Sequence, residues 1–250
     1  MKNSEVYTSS KKINIFNDAD ILVREFSIQF KIDTDKAFNE GKKYFVAISG
    51  GHTPKKLFKY LAENYTGKIH WSNIHFFWGD ERCVPSKSPE SNYGEAERLL
   101  FSKIKIPDKN IHPVICSDSS KIARKKYEEE IRLNLLRMNE KTEFDLILLG
   151  VGADGHTASI FPNQLEFIRS SNICEIAYHP QSNQERITLT GTVIMQAKKI
   201  VFLVTGKKKS EIITKILRQC EGCNKLPAAL IKPEKGVIEW YLDKEAGSKL

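Results

Sequence analysis

Phe144-Asp145-Leu146-Ile147-Leu148-Leu149-Gly150-Val151-Gly152-Ala153-Asp154-Gly155-His156 is the stretch on which the fold turns. Residues 144–149 are a short apolar run bounded by glycine, the pattern of a strand buried on both faces. An amphipathic helix expected over residues 120–138 leads into it, and polar residues follow the glycines. The same grammar recurs outward. Residues 44–48 break at Ser49-Gly50-Gly51, and Pro54 suits the first turn of a helix running to about Glu63. Residues 74–78 end at Gly79-Asp80-Glu81-Arg82, before a helix over 92–101. Residues 200–204 pass through Thr205-Gly206 into a helix over 208–219. A first helix spans 19–40, with an Asp18 cap, apolar Ile21, Leu22, Phe26 and Phe30 at helical spacing, and a stop at Gly41. Alternating short strands and helices predict an α/β fold, Rossmann-like, with a mainly parallel open sheet flanked by helices. No internal repeat is visible.

The chain has 250 residues, 40% hydrophobic and 10% aromatic, enough to bury a sizeable core, and lacks a Pro-, Gly- or Ser-rich linker. It is read as one domain over 1–250. The apolar runs, 146–149 and 200–204 among them, fall far short of the roughly 20 residues of a membrane span. The opening residues MKNSEVYTSSKK lack the apolar stretch of a secretory signal, so an intracellular protein is expected. The net charge of +8 comes from scattered lysine doublets beside acidic residues, not a basic stripe with interleaved aromatics, which argues against nucleic acid as a partner. Five cysteines without secretory context make a disulfide framework improbable. Cys220-x-x-Cys223 has half the spacing of a zinc knuckle, but no second Cys/His pair follows, and it reads as surface-loop thiols.

Four predicted strands each run into a glycine, and in an open parallel sheet their carboxyl ends share one edge, where ligands bind. The clusters that follow are therefore expected to converge. Ser49-Gly50-Gly51-His52-Thr53 enters a helix N-terminus, whose free N–H groups and dipole favour a phosphate; a tight turn is the alternative. Gly150-x-Gly152-x-x-Gly155 formally matches a dinucleotide fingerprint, but Phe161-Pro162 interrupts the helix that such a site needs. His156, beside Asp154 in a loop, is a candidate base. Arg82 suits an anionic group or developing negative charge, with Asp80 fixing its orientation. No metal-ligand spacing, Gly-x-Ser-x-Gly elbow or Walker sequence is present. The residues alone point to an intracellular α/β enzyme for a small phosphorylated substrate, with a histidine base, no metal and no cofactor.

The stretches 49–54, 79–85, 91–92 and 149–162 resemble the signatures of the 6-phosphogluconolactonase family, as do 186–190, the Gly206-x-x-Lys209 step, 227–229 and 240–243. The likeness covers nearly the whole chain. Ser210 departs from it, standing where alanine is expected. The resemblance implies hydrolysis of 6-phosphoglucono-1,5-lactone to 6-phosphogluconate in the oxidative pentose phosphate route, a water attack on an activated ester that needs a base and oxyanion stabilisation. It assigns catalysis to His156, Arg82 and Asp80. It assigns substrate binding to Ser49, Gly50, Gly51, Thr53, Asp154, Arg186 and Lys209, the phosphate resting on the 49–53 turn. A phosphorylated sugar lactone is the expected partner, and a monomer is compatible with the sequence. Two alternatives share the fold. The sugar-phosphate deaminase/isomerase family resembles a site with a glutamate five residues after the histidine, where this chain has Phe161. Non-catalytic sugar-phosphate sensors carry an added DNA-binding segment, for which the residues before the first helix are too few.

The chain ends Ser248-Lys249-Leu250, a peroxisomal address when a receptor reads it. Gly247 and the charged Lys244-Glu245 predict an exposed, flexible tail. The leading expectation is the cytosol, with a peroxisome or glycosome as the alternative.

Overall fold

The structure is a computed structural model that describes residues 5–8, 11–116, 119–135 and 142–250. In chain order the strands are β1 (Glu5–Thr8), β2 (Lys11–Phe16), β3 (Tyr44–Ile48), β4 (Ile74–Trp78), β5 (Asp80–Arg82), β6 (Leu146–Leu149), β7 (Cys174–Tyr178), β8 (Glu185–Leu189), β9 (Lys199–Val204) and β10 (Val237–Asp243). The helices are α1 (Ala19–Asn39), α2 (His52–Asn64), α3 (Asn92–Leu99), α4 (Ser120–Leu135), α5 (Gly191–Met195), α6 (Ser210–Leu217) and α7 (Pro227–Leu230). Seven strands form one sheet in the order β1-β2-β10-β9-β6-β3-β4, all parallel except β1, which pairs antiparallel with β2.

Every residue of β3, β4 and β6 is buried, which is why these strands read as unbroken apolar runs. Trp78, Phe76, Phe77 and Phe144 on one side of the sheet order, and Phe202 and Trp240 further along, are among the largest fully buried side chains, each contributing roughly 2–3 kcal/mol by burial. Phe202 and Trp240 stack across β9 and β10 at 4.1 Å. The Tyr127 hydroxyl of α4 donates to the Trp78 carbonyl (2.8 Å) and accepts from the Trp78 N–H (2.7 Å), pinning that helix to the end of β4. Asp18 caps α1 as expected, its carboxylate accepting from the Ile21 N–H at 2.8 Å.

Several expectations need correction. The charges at 80–82 do not simply follow the end of a strand: they form β5, the first strand of a second, antiparallel sheet ordered β5-β8-β7. Gly79 is where the chain leaves one sheet for the other. Its N–H bonds to Ile48 in the parallel sheet and its carbonyl accepts from Leu189 in the second, both at 2.8 Å. The expected helix at 92–101 gives way after Leu99 to a 3-10 turn at Phe101–Lys103, and that at 208–219 divides into a 3-10 turn at Lys207–Lys209 and α6. The end of the helix expected to reach 138 lies outside the described residues. The reading against disulfides is also corrected. Cys83 and Cys116 are bonded, with Cα atoms 5.0 Å apart, because the fold brings the end of β5 beside the segment before α4. Cys220 is an exposed free thiol and Cys223 a half-buried one. The flexible tail is not observed either. Residues 244–249 fold into turns, Lys249 pairs with Glu211 at 2.6 Å, and Leu250 packs partly buried against the core. Among the described residues no helix is long and apolar enough to cross a membrane.

Candidate functional site

β9, β6 and β3 lie side by side, and the segments leaving their carboxyl ends frame a cleft of about 380 Å³. The second sheet brings β5 and β8 to the same cleft. All the clusters picked out in the sequence contribute to its wall: Ser49 to Thr53, Asp80 and Arg82, Gly150 to Ala153, His156, Arg186 and Lys209. Asp154 is not part of the wall itself and meets it through His156. The convergence inferred from strand ends is therefore observed.

The His156 imidazole is about one quarter exposed (27%), and its Nδ1 lies 2.6 Å from Asp154 Oδ1, which also accepts the His156 backbone N–H at 3.1 Å. An ionised carboxylate only accepts, so Nδ1 carries a proton, and whenever the ring is neutral Nε2 is the nitrogen with the lone pair. Burial works to raise the Asp154 carboxyl, but the hydrogen bond and charge of His156 outweigh it and hold the group below its ordinary range. Asp154, expected among the substrate-binding residues, is thus placed as the partner that orients the histidine. Gly152 makes room for the pair, since a Cβ there would overlap the imidazole. A glycine of the formal fingerprint, Gly152, thus packs against the histidine loop. The ring of Phe161, fully buried, lies 4.8 Å from His156 and beneath the Arg186 guanidinium at 5.7 Å.

Arg82 and Arg186 stand directly opposite each other across β5 and β8. Like charges in register cost a sheet a few tenths to about 1 kcal/mol. Arg82 Nη1 donates to the Glu90 carbonyl at 2.5 Å, and Arg186 makes only long contacts, to Ser159 Oγ and Gln184 Oε1, both at 3.4 Å. The Nε–H groups of both arginines are buried without a partner. Burial pushes the Arg186 guanidinium down from its ordinary value, opposed by the nearby Asp80 carboxylate. Burial likewise lowers Lys209, opposed by Asp154.

Asp80 does not orient Arg82 as expected. Its Oδ2 accepts from the Ser159 hydroxyl at 2.7 Å, and no hydrogen bond or ion pair joins it to Arg82, because the register sets Asp80 against Thr188 and Arg82 against Arg186. The Ser49 hydroxyl is also committed: it donates to the Leu148 carbonyl at 2.6 Å, leaving its backbone for a ligand. Thr53 Oγ1 lies 2.8 Å from Thr205 Oγ1 at the mouth of α2. Gly51 holds φ +105° as the residue before that helix, a torsion that favours glycine. Asn92, Ser159 and Thr205 were given no task by the sequence reading. All three lie in or beside stretches the sequence singled out: Asn92 in 91–92, Ser159 in 149–162 and Thr205 at the strand end before Gly206.

Residues 17–240 match the model of a family described as glucosamine-6-phosphate isomerases/6-phosphogluconolactonase. The 6-phosphogluconolactonase of Haemophilus influenzae is 47% identical over 202 residues, covering 80% of this chain and 85% of the relative. A crystal structure described as devB protein superposes with a TM-score of 0.90 at 41% identity, over 96% of this chain and 99% of the other. The crystal structure of 6-phosphogluconolactonase from Thermotoga maritima gives 0.78 at 33% identity, over 94% and 99%. With a family match over most of its length and relatives of this identity, the chain belongs to the glucosamine-6-phosphate isomerase/6-phosphogluconolactonase family.

Proposed function

We propose that the protein hydrolyses 6-phospho-D-glucono-1,5-lactone to 6-phospho-D-gluconate, the lactone step of the oxidative pentose phosphate route. The observation that carries the reading is the pairing, in one cleft, of a carboxylate-oriented histidine with two opposed arginines whose inner N–H groups have no protein partner. The lactonases among the relatives support the choice of substrate. In this reading residues 1–250 act as one lactonase domain.

His156 Nε2 takes a proton from water as the oxygen attacks the lactone carbonyl carbon. The carbonyl electrons move to its oxygen, and Arg82 steadies the tetrahedral oxyanion. Collapse of that intermediate breaks the bond between the carbonyl carbon and the ring oxygen. The imidazolium returns its proton to the departing oxygen, giving a hydroxyl and a carboxylic acid, which then ionises to the carboxylate by releasing a proton to solvent. The phosphate sits on the turn entering α2, with Arg186 and Lys209 supplying charge-assisted hydrogen bonds.

Phe161 argues against the deaminase alternative, because the ring occupies the position where that chemistry is expected to place a carboxylate. Offering the protein the lactone and glucosamine 6-phosphate in separate assays tests the choice. Acid release from the first with no ammonia from the second is expected, and ammonia release would reverse it.

A further inference from the structure

The proposed hydrolysis leaves Glu81 without a task, although it is the most deeply buried charge at the site, 2% exposed. Its Oε1 accepts from the backbone N–H groups of Arg82 and Asn92, both at 2.8 Å. Its Oε2 accepts from the Tyr93 N–H at 2.7 Å and the Ser91 hydroxyl at 3.1 Å. Three of the four donors belong to the opening of α3, where helical N–H groups have no partner within the helix. Only an ionised carboxylate offers acceptors at both oxygens, so Glu81 ties that opening to β5. Burial pushes the Glu81 carboxyl up, opposed by these backbone donors.

The tied turn carries Asn92. Its Nδ2 donates to the Asp80 carbonyl at 2.9 Å, and its side-chain amide fills the space a Cβ at position 50 would need. Gly50 has no positive φ, in contrast to Gly51, so the amide of Asn92 and not backbone torsion excludes a side chain there. Asn92 and Gly50 both face the cleft.

From this chain of contacts we infer that Glu81 and Asn92 are positioning residues for the glycine turn at 50–53: Glu81 docks the first turn of α3, and Asn92 braces the turn on which the anionic group of the substrate rests. The inference builds on the proposed phosphate seat, so its test includes a measurement that needs no turnover. Glu81→Gln keeps the side chain's size but presents donors to the Tyr93 N–H and the Ser91 hydroxyl. For this variant and for Asn92→Ala, KM for the phosphorylated lactone and the dissociation constant of inorganic phosphate, measured by calorimetry, rise together by about tenfold or more. The turnover number stays within about threefold of wild type. Gly50→Ala alone weakens phosphate binding, and Asn92→Ala in the same chain restores part of it by removing the overlap. A drop in turnover with KM and phosphate affinity unchanged would overturn the inference, as would a double variant no better than Gly50→Ala. If Glu81→Gln does not fold, Asn92→Ala and the double variant decide the matter. A wild type that binds phosphate but leaves the lactone intact would refute the lactonase reading alone. A wild type that does not bind phosphate would refute the positioning role.

Discussion

In the proposed mechanism His156 serves as the base, because one neighbour decides which nitrogen is free. Asp154 holds Nδ1–H, Gly152 leaves space for the imidazole and the carboxylate, and the ring of Phe161 packs against the imidazole. Replacing His156 with Asn is expected to leave substrate binding in place and reduce turnover by on the order of 10²–10⁴, the usual contribution of a positioned general base, as steady-state kinetics would show. Near-normal turnover would remove the histidine from the chemistry. In the proposed mechanism Arg186 and Lys209 act on a different part of the substrate. Arg186→Ala or Lys209→Ala should lower kcat/KM for the phosphorylated lactone by roughly 10–100-fold and barely change it for the unphosphorylated one, since each loses a charge-assisted bond made only to phosphate. Equal losses on both substrates would contradict the phosphate seat. At this scale the sequence exposed the histidine, the arginines and the glycines, because each follows a strand. It did not show that the side chains of Asp80, Ser49 and Asp154 are taken by Ser159, Leu148 and His156. Those partners lie 79, 99 and 2 positions away, and spacing alone does not reveal the first two.

Among the elements, β4 carries a titration that should be visible in stability. His75, 5% exposed, places Nδ1 2.9 Å from His112 Nε2, and His112 Nδ1 lies 2.7 Å from Glu130 Oε1. Burial, then the charges of Lys43, His112 and Lys109, lower the His75 pKa from 6.5 to about 4. Burial also lowers His112, opposed by Glu130. Between these values the unfolded chain binds a proton that the folded chain refuses. The contribution of neutral His75 is therefore full above pH 6.5 and is lost as pH falls toward 4. Denaturant melts at pH 7 and pH 5 should show wild type losing on the order of 2 kcal/mol more than His75→Asn over that interval. Parallel losses in the two proteins would mean that His75 is not held neutral. Legibility at this scale followed burial. β3, β4, β6 and β9 are apolar runs and were readable. β2, β7 and β8 mix polar and apolar residues, most at half-buried or buried positions, over five or six residues, and β10 is only partly apolar. Their pairing partners lie far away in sequence, so they and the whole second sheet went unread.

For the molecule as a whole, the two sheets divide the work. The parallel sheet supplies turns and helix N-termini at one edge, and the antiparallel sheet, entered at Gly79, supplies the opposed arginines. Neither alone makes the cleft. The parallel architecture was legible because strand, glycine and helix recur along the chain. The second sheet and the Cys83–Cys116 bond depend on where the chain returns in space. The folded tail likewise depends on Leu250 finding the core. The measurement that bears most directly on this account is acid release from freshly generated 6-phosphogluconolactone in a pH-stat, with spontaneous hydrolysis as baseline. The account predicts a rate above baseline that rises in proportion to added protein and falls close to baseline with His156→Asn. A rate equal to spontaneous hydrolysis at every concentration of the wild-type protein would contradict it.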